Sequence, residues 1–137
     1  MTTVYINKQP VEIEAGSTIF EAAAKAGIKI PTLCHVENQM PKGACRVCMV
    51  DVEGAKSMVA SCTTPVSDGM KITTNSRNVR DARKFVVELL LSEHCGECKT
   101  CVRNNDCELQ TLALELGVLD ITYEGEKLRS FIDDSTP

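Results

Sequence analysis

Apolar and polar residues alternate from the first residues: Val4 and Ile6 stand out within 3–7, then Val11 and Ile13 within 11–14. A period of two, interrupted by the polar turn Asn7-Lys8-Gln9-Pro10, predicts a β-hairpin. The period then lengthens. Ile19, Ala22, Ala23 and Ala26 recur at helical spacing, with Thr18 as N-cap, Glu21 as its capping-box partner and Gly27 closing the helix. This helix is expected to pack its apolar face on the sheet and to carry no chemistry. Short apolar runs return at 47–52, 58–60 and 70–73, the first ended by Glu53-Gly54 and the last preceded by the Asp68-Gly69 turn. Hairpin, helix, then further strands is the element order of a β-grasp fold.

Near Asn75 the pattern becomes helical. Val79, Ala82, Val86, Leu89 and Leu90 predict a helix over 77–92. Its first turns carry Arg77, Arg80, Arg83 and Lys84, which are assigned to a solvated face. The stretch 85–91 is apolar nearly all round except at Glu88, so it is expected to be buried on more than one side, by the β domain or by a partner. A last helix opens at Cys107-Glu108-Leu109-Gln110, with Leu109, Leu112, Ala113 and Leu116 in one stripe and Gly117 at its end. Residues 119–137 are polar and acidic. The fold class is therefore expected to be α+β: a β-grasp domain at 1–76, then a small helical domain at 77–137 that includes a C-terminal tail.

Composition narrows the chemistry. The chain has 137 residues, 43% of them hydrophobic but only 4% aromatic, with no Trp. Such a small core often needs a staple, which metal clusters would supply. A net charge of −4 without a block of like charges argues against nucleic acid as a partner. No apolar run approaches the roughly 18 residues of a membrane span. Met1-Thr2-Thr3 leads straight into a strand pattern without a signal-peptide pattern, so a cytoplasmic location is expected. In that compartment eight cysteines imply metal more than disulfides.

Four of the cysteines, Cys34, Cys45, Cys48 and Cys62, follow the spacing C-x10-C-x2-C-x13-C. This is a ligand set for a [2Fe–2S] cluster, in which each iron takes two thiolates. One short C-x2-C loop supplies two neighbouring thiolates and more distant points supply the others. Structural zinc is the first rival, but zinc ribbons normally show two C-x2-C pairs. A disulfide framework is the second. The loop is expected to hang from a sheet edge, where backbone N–H groups reach the sulfurs. Gly43 and Gly54 serve either close backbone approach or plain turns.

A second unit runs His94-Cys95-Gly96-Glu97-Cys98-Lys99-Thr100-Cys101, then Cys107. It reads as H-x3-C-x2-C-x5-C from the histidine, or as C-x2-C-x2-C-x5-C from Cys95. Either set provides four ligands for a [4Fe–4S] cluster. His35 falls in no motif.

Ile30-Pro31-Thr32-Leu33-Cys34, Gly43-Ala44-Cys45-Arg46-Val47-Cys48-Met49-Val50 and Ser61-Cys62-Thr63-Thr64-Pro65 resemble the [2Fe–2S] ferredoxin-like domain at the N-terminus of [FeFe]-hydrogenases. They are also similar to the large iron–sulfur subunit of respiratory complex I. The same group has a cluster motif of one histidine followed by cysteines at +4, +7 and +13. His94, Cys98, Cys101 and Cys107 occupy those positions, so the resemblance implies one-histidine, three-cysteine ligation. Cys95 stands where that pattern usually has proline and is the alternative to His94. A neutral imidazole in place of a thiolate would make this cluster less negative and raise its potential. Residues 101–110 most resemble the NAD(P)-linked bacterial [FeFe]-hydrogenases. The resemblance covers all 137 residues but only the front of the larger relatives.

The resemblance implies two electron-relay modules in series within an NAD(P)-linked [FeFe]-hydrogenase-type oxidoreductase complex, with a [2Fe–2S] and a [4Fe–4S] cluster as cofactors. No G-x-G-x-x-G and no P-loop stands in the sequence, and a chain of this length is expected to hold no catalytic site. The implied partners are a flavin- or NAD(P)-binding subunit, a ferredoxin, or a hydrogenase catalytic subunit. Alternatives are the electron-transfer part of a complex I-like NADH dehydrogenase or formate dehydrogenase and, from another class, a zinc-binding adaptor.

Overall fold

The computed structural model describes residues 1–36, 39–94 and 96–126. The chain divides into two compact units, Met1–Val86 and Val87–Pro137.

In the first unit β1 (Thr2–Ile6) pairs antiparallel with β2 (Gln9–Ile13), Val4 opposite Val11. The turn is shorter than the sequence predicts. Asn7 and Lys8 alone make it, both in the left-handed region (φ 51° and 73°), as a two-residue hairpin turn requires. Gln9 and Pro10 belong to β2. The proline is tolerated because β2 is the outermost strand, where a missing N–H breaks no ladder. Helix α1 (Ile19–Lys25) follows with both halves of its capping box formed: Glu21 N donates to Thr18 Oγ1 at 3.2 Å and Thr18 N to Glu21 Oε2 at 2.7 Å. Its Ile19, Ala22 and Ala23 are buried.

Strands β3 (Met49–Val52), β4 (Val59–Ala60) and β5 (Lys71–Thr73) complete one sheet of order β2-β1-β5-β3-β4. The β1–β5 pair is parallel and the other pairs are antiparallel, so the sheet is mixed. β3 starts two residues later than its apolar run predicts. Arg46 has φ 58°, which turns the chain, and Val47 and Cys48 sit in that turn while remaining buried. Val4, Ile6, Ile19, Val50 and Ile72 form the centre of the core, and Cys48 and Cys62 belong to the same cluster.

Helix α2 (Arg77–Glu93) departs from expectation twice: Phe85 and Leu89 are exposed within the stretch 85–91, and one of the basic residues turns inward. Arg77, Arg80 and Lys84 are exposed, but Arg83 is only 5% exposed. Val79, Arg83 and Val87 are four residues apart and so share one face, which is buried throughout. Charge pointed Arg83 outward in the sequence; its register on the helix points it inward.

In the second unit a 3-10 turn (Cys98–Thr100) precedes α3 (Glu108–Glu115). Leu112 and Ala113 are buried on the expected stripe, with Leu109 and Leu116 half-buried beside them. Glu88 Oε1 accepts from the Thr122 N–H at 2.7 Å and ties the returning chain to α2. Residues 127–137, the greater part of the acidic tail, lie outside the described residues. No helix among the described residues is long and apolar enough to cross a membrane.

Candidate metal centres

The first centre lies at one end of the β3–β4 hairpin. Met49 pairs with Ala60, and the Ser61 N–H donates to the Cys48 carbonyl at 3.1 Å. This register sets Cys48, just before β3, beside Cys62, just after β4. Both are 1% exposed. Cys34 and Cys45 lie on the long connection from α1 to β3 and are half-buried. The structure brings the four together as two pairs. The Cys45 thiol hydrogen-bonds with Cys34, and the Cys62 thiol with Cys48. Cys34 is also near enough to act on Cys62 through its charge.

The electrostatics of the pairs differ. Burial works against the Cys45 thiolate, but hydrogen bonds from the backbone of Val47 and Leu33, and from Cys34, outweigh it and hold the thiol below its ordinary value. Burial pushes Cys62 up to about 12, helped by the hydrogen bond and charge of Cys48 and the charge of Cys34, and opposed by the Gly43 backbone. Thiolates gathered this closely repel one another unless metal ions take the place of their protons. Gly43 is a position of close approach: with φ 60°, a Cβ there would lie 2.9 Å from Thr63 Cγ2. Gly54 is a plain turn, with φ 86° and open space around it.

A further signal comes from hydrogen bonds left unmade. The buried side-chain atoms without a partner among the described residues are Thr32 Oγ1, His35 Nδ1, Ser61 Oγ and Arg83 Nε. Folded proteins rarely leave such groups unpaired. Three of them stand within two residues of Cys34 or Cys62. The fourth belongs to a guanidinium bonded through Nη2 to the Met49 carbonyl at 2.8 Å, one residue past Cys48. Hydrogen-bonding groups around a metal centre are what orient and tune an anionic cluster, so the residues present fit one. Sequence reasoning passed over His35 and Arg83. The His35 ring packs on Phe20 at 4.5 Å between centroids, a contact with no sequence signal beyond its place next to Cys34.

The second centre is more open. His94, in the bend that ends α2, is exposed; Cys98 opens the 3-10 turn and Cys101 closes it; Cys107 is the N-cap of α3. The Arg103 N–H donates to Cys101 Sγ at 3.4 Å. The loop between Cys101 and Cys107 is held by its own side chains. Gln110 accepts from the Asn105 N–H at 3.1 Å and donates to Asn104 Oδ1 at 3.2 Å, while Arg103 Nε donates to the Asp106 carbonyl at 2.9 Å. Asn105 takes the left-handed conformation, φ 67°. Cys95 lies outside the described residues.

Among the described residues, no three His, Cys, Asp or Glu side chains close on a single metal ion. No disulfide joins any two of the seven described cysteines.

Residues 1–77 match the family described as 2Fe-2S iron-sulfur cluster binding domain. The chain belongs to that family. Residues 83–122 match the NADH-ubiquinone oxidoreductase-G iron-sulfur binding region. Its relatives include the NADP-reducing hydrogenase subunit HndD of Solidesulfovibrio fructosivorans, 40% identical over 98% of this chain and 24% of that protein. The NADH-ubiquinone oxidoreductase 75 kDa subunit of Reclinomonas americana is 42% identical over 85% of this chain and 17% of that subunit. Among solved structures, an NAD+-reducing [NiFe]-hydrogenase in the H2-reduced state superposes with a TM-score of 0.89 at 30% identity, over 99% of this chain and 57% of that one. The chain thus spans a quarter or less of these two curated relatives. It is an iron–sulfur electron-transfer module of the kind shared by NAD(P)-reducing hydrogenases and complex I, with a [2Fe–2S]-binding and a [4Fe–4S]-binding domain.

Proposed function

We propose that the chain passes single electrons through a [2Fe–2S] cluster held by Cys34, Cys45, Cys48 and Cys62 and a [4Fe–4S] cluster held by His94, Cys98, Cys101 and Cys107, within an NAD(P)-linked [FeFe]-hydrogenase-type complex. The observation that carries this reading is the pairing of the first four thiols, Cys34 with Cys45 and Cys48 with Cys62, one pair for each iron. When bound, the clusters supply the redox chemistry. The protein's residues hold them, exclude water and set their potentials. On this reading no side chain of the chain is catalytic.

The histidine in the second set rests on spacing and on the position of His94 at the end of α2, one short loop from Cys98. The proposed domain division at 76/77 puts all of α2 in the second domain, whereas the compact units divide within that helix, after Val86. The partners are a flavin- or NAD(P)-binding subunit, a ferredoxin or a hydrogenase catalytic subunit, and the compartment is the cytoplasm, where free thiols persist. The [FeFe] type rests on the resemblance of residues 101–110. A complex I-like assembly is the second reading, favoured by the match of residues 83–122 to the oxidoreductase-G region.

EPR of reduced His94→Ala and Cys95→Ala tests the ligand set. Loss or alteration of the [4Fe–4S] signal in His94→Ala alone supports the histidine. Loss in Cys95→Ala alone overturns it. The subunits that co-purify with the chain separate the hydrogenase from the complex I-like reading.

A further inference from the structure

Arg83 is a buried cation without an anionic partner of its own. Its side chain enters the first unit from α2 and is 5% exposed. Nη2 donates to the Met49 carbonyl at 2.8 Å, and Nε has no partner among the described residues. No carboxylate among the described residues lies within ion-pair distance of it. The described ion pairs are Lys71 with Glu53 and Arg77 with Asp81, both on the surface. Burial disfavours the guanidinium charge, and the charge that favours it is that of Cys48. A buried charge with nothing opposite is costly, and proteins pair such charges.

The missing counter-charge is the cluster itself. Two ferric ions, two sulfides and four thiolates sum to a charge of about −2, which becomes about −3 when one electron is added and no bond changes. A fixed cation in a low-dielectric site favours the more negative state. We propose that Arg83 is a positioning residue that sets the potential of the [2Fe–2S] cluster: its buried charge beside Cys48 favours the reduced form, while its bond to the Met49 carbonyl fixes the turn from which Cys48 projects. The inference rests on assigning that cluster to Cys34, Cys45, Cys48 and Cys62. Its consequence for the fold is that a residue of α2, the helix leading to the second centre, tunes the first.

The test is an EPR-monitored redox titration of the full chain with both clusters loaded. Arg83→Gln removes the charge and keeps a donor; Arg83→Lys keeps the charge; Arg80→Gln, exposed on the same helix, is the control. Arg83→Gln is expected to weaken reduction of the [2Fe–2S] cluster about tenfold, which for one electron is about 59 mV toward lower potential. The [4Fe–4S] potential, Arg80→Gln and Arg83→Lys should stay near wild type. Arg83→Met is the second neutral variant and fills the site with apolar volume. A loaded neutral variant with an unshifted [2Fe–2S] potential overturns the proposal. If neither neutral variant binds the cluster, the proposal also falls, and Arg83 is a folding residue only. A wild-type chain without a [2Fe–2S] signal would instead defeat the underlying cluster assignment.

Discussion

Gly43 lies against Thr63, so closely that a Cβ on the glycine would come within 2.9 Å of Thr63 Cγ2. The same glycine has φ 60°, and its backbone hydrogen-bonds the Cys62 sulfur. Gly43→Ala therefore combines backbone strain with a clash at the cluster loop, for a destabilisation of roughly 2 kcal/mol. Thermal melts of the loaded protein should show it, together with a lower [2Fe–2S] content per chain. Gly54→Ala, at φ 86° with open space around it, keeps only the backbone cost and should leave cluster content unchanged.

The loop between Cys101 and Cys107 depends on Gln110, which bridges Asn104 and Asn105. Gln110→Ala removes two hydrogen bonds near the surface, each contributing about 1 kcal/mol. The expected result is selective: faster bleaching of the [4Fe–4S] cluster in air, with the [2Fe–2S] EPR signal intact. Equal loss of both signals would place Gln110 outside the second centre.

Thr18 and Glu21 cap α1 reciprocally. Thr18→Ala should cost about 1 kcal/mol of stability, read as a lower denaturation midpoint. Neither cluster spectrum should change, because the helix serves as scaffold and supplies no ligand. A shift in the [2Fe–2S] spectrum would show that α1 does more than pack.

What could be read from the sequence was local. The Thr18–Glu21 box, the alternation of β1 and β2 and the stripe of α3 depend on neighbours two to four residues apart, and all three formed as their patterns require. Cysteine spacing pointed to the same clusters that the family matches name. Features set by tertiary context were less legible. Val47 and Cys48 read as strand, yet the left-handed Arg46 places them in a turn. Gly43 and Gly54 were equivalent until Thr63 came to lie beside one of them. Arg83 was grouped with its charged neighbours, although its spacing from Val79 and Val87 already placed it on the buried face. The packing of the tilted His35 ring against Phe20 joins a loop to α1 and left no trace in either local pattern.

The central claim is that this chain holds two different iron–sulfur clusters. The anaerobically prepared 137-residue chain, reduced and examined by EPR alongside iron, sulfide and zinc analysis, tests it most directly. The account predicts one [2Fe–2S] and one [4Fe–4S] signal of comparable intensity, with about six irons per chain. Folded protein that carries zinc in place of iron, or only one of the two signals after full reconstitution, would contradict it.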